Sequence, residues 1–135
     1  MRVFSSASVM MLMTVAALPE ACAQPKTASP GASQTVILSS FAFEPEHLRL
    51  KAGVPVRLRL VNQSNGAHDF SAPAFFAASN FPPGSQEPPD GDIDVASHQT
   101  VEIDVIPRTP GMYRLRCTHF LHGVFGMHGT IEVIP

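Results

Sequence analysis

Beyond Ser33 the chain is a succession of short runs in which apolar and polar residues alternate. Thr35 to Phe43 is the first, and Glu44-Pro45-Glu46 ends it. Leu48 to Lys51 alternates and stops at Ala52-Gly53. Pro55 to Asn62 puts Val56, Leu58 and Leu60 on one face and Arg57 and Arg59 on the other. Thr100 to Ile106 sets Val101, Ile103 and Val105 opposite Glu102 and Asp104. Met112 to Cys117 groups Tyr113, Leu115 and Cys117, and Thr130 to Ile134 is the last run. Successive side chains of a strand point to opposite faces, so period-two alternation between turn residues predicts an all-β protein, an antiparallel β-sandwich. No segment carries a helical stripe, although Pro73 to Ser79 has room for one or two turns. No internal repeat is present. Asn80 to Asp94 (NFPPGSQEPPDGDID) is rich in Pro, Gly and acid and reads as a long loop inserted between strands.

Composition changes this picture little. The 13 prolines disfavour long helices, and the formal net charge is −2. There is no basic run, so nucleic acid is not an expected partner.

The N-terminus matters more. Arg2 precedes an apolar stretch, Val9 to Leu18, that is too short to span a bilayer. Ala21-Cys22-Ala23 then fits the A-x-A pattern of signal peptidase. The expected division is a signal peptide over residues 1–23, a Pro-rich flexible linker over 24–33 and one domain over 34–135. Export to the periplasm follows. Cleavage after Ala23 removes Cys22 and leaves Cys117 as the mature chain's thiol. The alternative is lipidation at Cys22. Pro19 stands where such sites carry an apolar residue, so membrane association is expected only in that alternative.

A lone thiol in an oxidising compartment is reactive, paired with another molecule or held by a metal. Cys117 is followed by His122 and Met127 at equal spacings, in a Gly-rich apolar loop. His68 lies far upstream, at a strand start. One thiolate, two imidazoles and a thioether make a soft donor set. Thiolate and thioether favour Cu(I), whereas imidazole accepts both copper states. Two His and one Cys with a weak axial Met is the donor set of the blue-copper electron-transfer site. Zinc takes four strong ligands and suits this set poorly.

These residues resemble the cupredoxin family. The resemblance rests on Cys117-x4-His122-x4-Met127, Gly111-x-Tyr113-x3-Cys117, Gly126-Met127-x-Gly129, His68-x-Phe70 and the early Phe43-x-Pro45-x2-Leu48-x-Leu50-x2-Gly53 run. It implies a Greek-key β-sandwich binding one copper ion, with ligands His68, Cys117 and His122 and an axial Met127. The implied role is single-electron transfer, with a redox partner (a cytochrome, oxidase or reductase) docking at the His122 end. There Gly123, Val124, Phe125 and Gly126 would surround the ligand; Phe75, Phe76 and Phe81 either extend that patch or belong to the core. One departure stands out. Small members of the family carry Asn directly after the first His, and this chain has Asp69. Its carboxylate can still accept from the Thr118 hydroxyl or a backbone N–H. Its charge is expected to favour Cu(II) and lower the potential.

His119 and His128 lie beside the expected ligands. His119 shares a face with Cys117 if the strand continues and so competes with His122, but the Gly-x-x-Gly-Met run after His122 fits the family better and leaves His119 outside the ligand set. His119 and His128 together are the alternative of a secondary Cu(II) or Zn(II) site, and His47 and His98 read as exposed. A copper chaperone or store using the same ligands is the alternative function. Catalysis is not expected, because the chain has no His-x-His pairs for further copper sites and, once Cys22 leaves with the leader, no second Cys for a binuclear centre. A monomer is expected.

Overall fold

The computed structural model describes residues 31–119 and 127–135. The leader, the linker to Pro30, His122 and its neighbouring apolar loop residues lie outside them.

In chain order the elements are β1 (Ala32–Leu38), β2 (Phe43–Glu44), β3 (His47–Lys51), β4 (Val56–Asn62), β5 (His68–Ser71), α1 (Pro73–Ala77), β6 (Ser79–Asn80), a 3-10 turn (Pro89–Gly91), β7 (Asp92–Val95), β8 (Thr100–Pro107), β9 (Gly111–Arg116) and β10 (His128–Ile134). They form two five-stranded sheets, ordered β2-β1-β4-β8-β6 and β3-β10-β9-β5-β7. The fold is therefore the β-sandwich that the alternation predicts. Among the described residues no helix is long and apolar enough to cross a membrane.

Alternation works here because each sheet buries one face. On β4, Val56, Leu58 and Leu60 are buried. Arg57 and Arg59 face outward, where the register sets them opposite Asp104 and Glu102 of β8. Arg57 Nε donates to Asp104 Oδ1 at 2.7 Å, and Arg59 Nε lies 3.3 Å from Glu102 Oε1. The same logic buries Leu115 on β9 and Ile131 and Val133 on β10.

The pairing is not purely antiparallel. β1 runs parallel to β4, and β10 runs parallel to β3. The expected first strand, Thr35 to Phe43, is also two strands. At Ser39 the chain turns, with the Ser39 N–H donating to Ala42 O at 3.0 Å, and β2 returns antiparallel to β1.

The expected Asn80–Asp94 loop is more ordered than its composition predicts. Asn80 closes β6 against β8, and Asp92–Val95 is a strand on the edge of the second sheet, paired with β5. Asp92 and Asp94 alternate with Ile93 and Val95, a strand pattern hidden by the surrounding Pro and Gly. The turn before β7 packs against α1. Gly91 has φ 72°, and a Cβ there would meet Pro73 Cα at 2.3 Å, so only glycine fits.

The core lies between the sheets. Leu38, Leu58, Leu60 and Val105 meet Phe70, Leu115 and Ile131. Phe75 and Phe76 of α1 are buried in it and touch at a ring separation of 5.2 Å, while Phe81 packs against Phe76 at 6.3 Å. Phe75 and Phe76 are thus core residues, and Phe81 is half-buried against them.

Candidate metal centre

β5 and β9 are neighbours in the second sheet, with Ser71 opposite Arg116. His68 opens β5, and Cys117 follows the last residue of β9. The pairing therefore brings both to one end of the sandwich. Each is about 1% exposed, and Cys117 Sγ lies 3.9 Å from His68 Nδ1. Met127 is fully buried, and its carbonyl accepts from the Cys117 N–H at 3.1 Å, just before β10 begins. Three of the four expected donor residues thus converge on one place. His122 lies outside the described residues. Among those described, no three His, Cys, Asp or Glu side chains cluster as a metal site.

Asp69 ties the two donor segments together. Its Oδ1 accepts from the Thr118 N–H at 2.6 Å, and its Oδ2 accepts from the Thr118 hydroxyl. This is the bond expected from sequence for the Asp that replaces Asn. Burial pushes the Asp69 carboxyl up. Hydrogen bonds from the Cys117 thiol and from the Thr118 hydroxyl and N–H, with His119 nearby, outweigh burial and hold it below the usual carboxylate range. For Cys117, burial and then the bond to Asp69 push the thiol up to about 11, against the N–H groups of Asp69 and His119. The metal-free sulfur is therefore protonated at neutral pH, and a metal binding there displaces that proton.

The far side of the His68 ring is held as well. Nε2 lies 2.8 Å from Ser64 Oγ, and Ser64 is in turn bonded to Asn62. Sequence reasoning did not single out either residue. The available signal was the turn-rich run Asn62-Gln-Ser-Asn-Gly66 just before the histidine.

These residues fit a small soft metal ion. Metal–sulfur and metal–imidazole bonds of about 2.3 Å and about 2.0 Å sum to more than 3.9 Å, so one ion can touch both atoms. Fixing one ring nitrogen by hydrogen bonding while the other faces the metal is a recurrent feature of such sites. The other histidines do not join this cluster. His119 Nε2 lies 3.9 Å from Asp94 Oδ1 on β7, and His128 Nδ1 lies 3.6 Å from Glu46 Oε1 before β3. These carboxylates sit at opposite edges of the sheet. His47 and His98 are exposed, as read from sequence.

Comparison with known proteins agrees with this geometry. The sequence profile of the cupredoxin-like domain matches residues 8–133. Auracyanin B has a similar structure, with a TM-score of 0.60 at 24% identity, covering 79% of this chain and 91% of its own. The dithionite-reduced auracyanin of the photosynthetic bacterium Roseiflexus castenholzii gives 0.59 at 18%, covering 78% and 99%. A multicopper oxidase from Campylobacter jejuni, a metallo-oxidase, gives 0.59 at 17%, covering 89% of this chain but 34% of that one. At these identities the likeness is one of fold. No curated protein matches the sequence.

Proposed function

This chain belongs to the cupredoxin-like domain family, and on that premise we propose that it is an exported, single-copper electron carrier rather than an enzyme. His68, Cys117, His122 and Met127 are its ligands. The observation that carries the reading is the buried approach of Cys117 Sγ to His68 Nδ1 at 3.9 Å, with Met127 anchored beside them.

Copper in such a donor set supplies a one-electron Cu(I)/Cu(II) couple. The chain's own residues do the rest. Cys117 gives up its proton and provides the thiolate. Asp69 holds Thr118, and so the turn after Cys117, against β5. The two sheets keep the donors from moving apart when the charge changes, which favours fast electron exchange. Burial of Cys117, His68 and Met127 keeps water from the donors. The apolar loop Gly123–Gly126 beside His122 is the surface on which a redox protein docks. Arg2, the Val9–Leu18 stretch and Ala21-Cys22-Ala23 support export to the periplasm.

The test is the visible spectrum of the copper-loaded protein. An intense thiolate-to-Cu(II) band, lost in Cys117→Ser, is expected. Bound Cu(II) without that band, together with ready release of Cu(I) to an acceptor, would replace electron transfer with copper handling.

A further inference from the structure

Asn62 closes β4 and is 2% exposed. Its amide nitrogen donates to Gly66 O at 2.8 Å, Val95 O at 2.9 Å and Ala96 O at 3.1 Å. All three partners are carbonyls, which only accept. The –NH2 end of the amide must therefore point at them, and its orientation is settled. Asn62 Oδ1 then faces Ser64, accepting from the Ser64 N–H at 2.9 Å and from the hydroxyl at 2.8 Å.

Ser64 Oγ has one proton and four close polar neighbours, of which the Gly66 N–H donates to it at 3.3 Å and takes one of its two lone pairs. Two of them, Asn62 Oδ1 at 2.8 Å and Gly66 O at 3.0 Å, carry no hydrogen. The hydroxyl proton is committed to that side. What Ser64 Oγ presents to His68 Nε2, 2.8 Å away, is a lone pair. A nitrogen at that distance from a lone pair must bring its own proton. The opposite arrangement would turn the hydroxyl proton to Nε2 and leave two oxygen–oxygen contacts with no hydrogen between them. Ser97 Oγ donates to the Ser64 carbonyl at 2.8 Å, which holds the Ser64 backbone in place.

We propose that Asn62 and Ser64 are positioning residues that fix the neutral His68 ring as its Nε2–H tautomer. Nδ1 then presents its lone pair toward Cys117 Sγ before any metal arrives. A ring nitrogen can ligate only through a lone pair, so this network prepares the ligand from behind. Asn62 reaches the turn after β7 through Val95 and Ala96, so the tautomer is written by backbone from two loops and β4 and does not depend on the metal. The consequence for metal affinity rests on the proposed copper site; the tautomer itself does not.

The experiment uses metal-free protein with 15N-labelled histidine, read by long-range 1H–15N correlation at mildly alkaline pH. In the unsubstituted protein His68 is expected to carry its proton on Nε2 with Nδ1 bare. Ser64→Ala is expected to move His68 toward the Nδ1–H form or a mixture, while Ser64→Thr keeps the original form. Copper affinity of Ser64→Ala, measured by competition, is expected to fall about 10- to 100-fold. A proton on Nδ1 in the unsubstituted protein, or an unchanged tautomer in folded Ser64→Ala, overturns the proposal. A changed tautomer with unchanged copper affinity overturns its link to the metal. Failure of the copper spectrum alone leaves the tautomer result standing.

Discussion

Gly129→Ala is a demanding test of how the donor end of the sandwich is packed. Gly129 sits on β10, opposite Leu115 of β9 and two residues after Met127. A Cβ at this position would lie 2.5 Å from Glu46 O and 3.3 Å from Leu115 Cδ2. The first contact is with backbone, which cannot swing aside as a side-chain end can. Glu46 O also accepts from the Thr130 N–H at 2.9 Å, and Glu46 leads directly into β3. Relieving the clash displaces that carbonyl and stretches the bond. Overpacking costs ~1–3 kcal/mol, and the weakened hydrogen bond adds ~0.5–1.5 kcal/mol. Reduced freedom of the unfolded chain returns ~0.4–1 kcal/mol. The net loss is about 2 kcal/mol. With a urea slope of roughly 2 kcal/mol per molar, the midpoint drops by about 1 M. The assay is equilibrium urea unfolding of the metal-free protein. Gly66→Ala is the control, since nothing lies within 4 Å of a Cβ there, and it is expected within about 0.5 kcal/mol of the parent. A Gly129→Ala midpoint equal to that of the parent, with the same slope, would refute the reasoning.

Three further outcomes follow from the same structure. The metal-free protein is expected to fold, because Leu58, Leu60, Leu115 and Ile131 are fully buried without a metal and each such side chain contributes ~1.5–3 kcal/mol; a random-coil circular dichroism spectrum would contradict this. Burial raises the Cys117 thiol to about 11, above its unfolded value of ~8.5. The stability it lends is therefore complete below about pH 8.5 and is lost as pH rises toward 11, so metal-free urea midpoints should fall across that window and fall less in Cys117→Ala. Asp69→Asn removes a negative charge bonded to Thr118 beside the donors and is expected to raise the reduction potential, each tenfold change in the Cu(I)/Cu(II) balance being ~59 mV; voltammetry showing an unchanged or lower potential would refute it.

The limits of the sequence reading have physical causes. Alternation along β4, β8, β9 and β10 was legible because each strand buries one face, and a buried face leaves a period-two imprint. The same imprint says nothing about which strand lies alongside, so the parallel pairs β1–β4 and β3–β10 were not foreseen. β7 was missed because four residues within a Pro- and Gly-rich stretch are too few for a periodic signal to emerge. Cys117, His68 and Met127 stood out because donor chemistry restricts residue type at fixed spacing, and the fold sets Cys117 Sγ 3.9 Å from His68 Nδ1 and the Met127 carbonyl on the Cys117 N–H. Ser64 and Asn62 act through hydrogen bonds to backbone carbonyls, which any sequence supplies, so nothing in their residue types alone marks them.

β10 lies between β3 and β9 in the second sheet, with Met127 immediately ahead of it. An inner position of this sheet is thus filled by a strand that is made after its two neighbours. During synthesis β3, β5 and β9 can all be present and still lack the strand that joins β3 to the rest. Until it arrives, the Cys117 N–H lacks the Met127 carbonyl that accepts from it. A chain made only as far as β9 therefore leaves the Cys117 N–H without the partner it has in the finished fold, and the ordering of this end of the sandwich waits for β10.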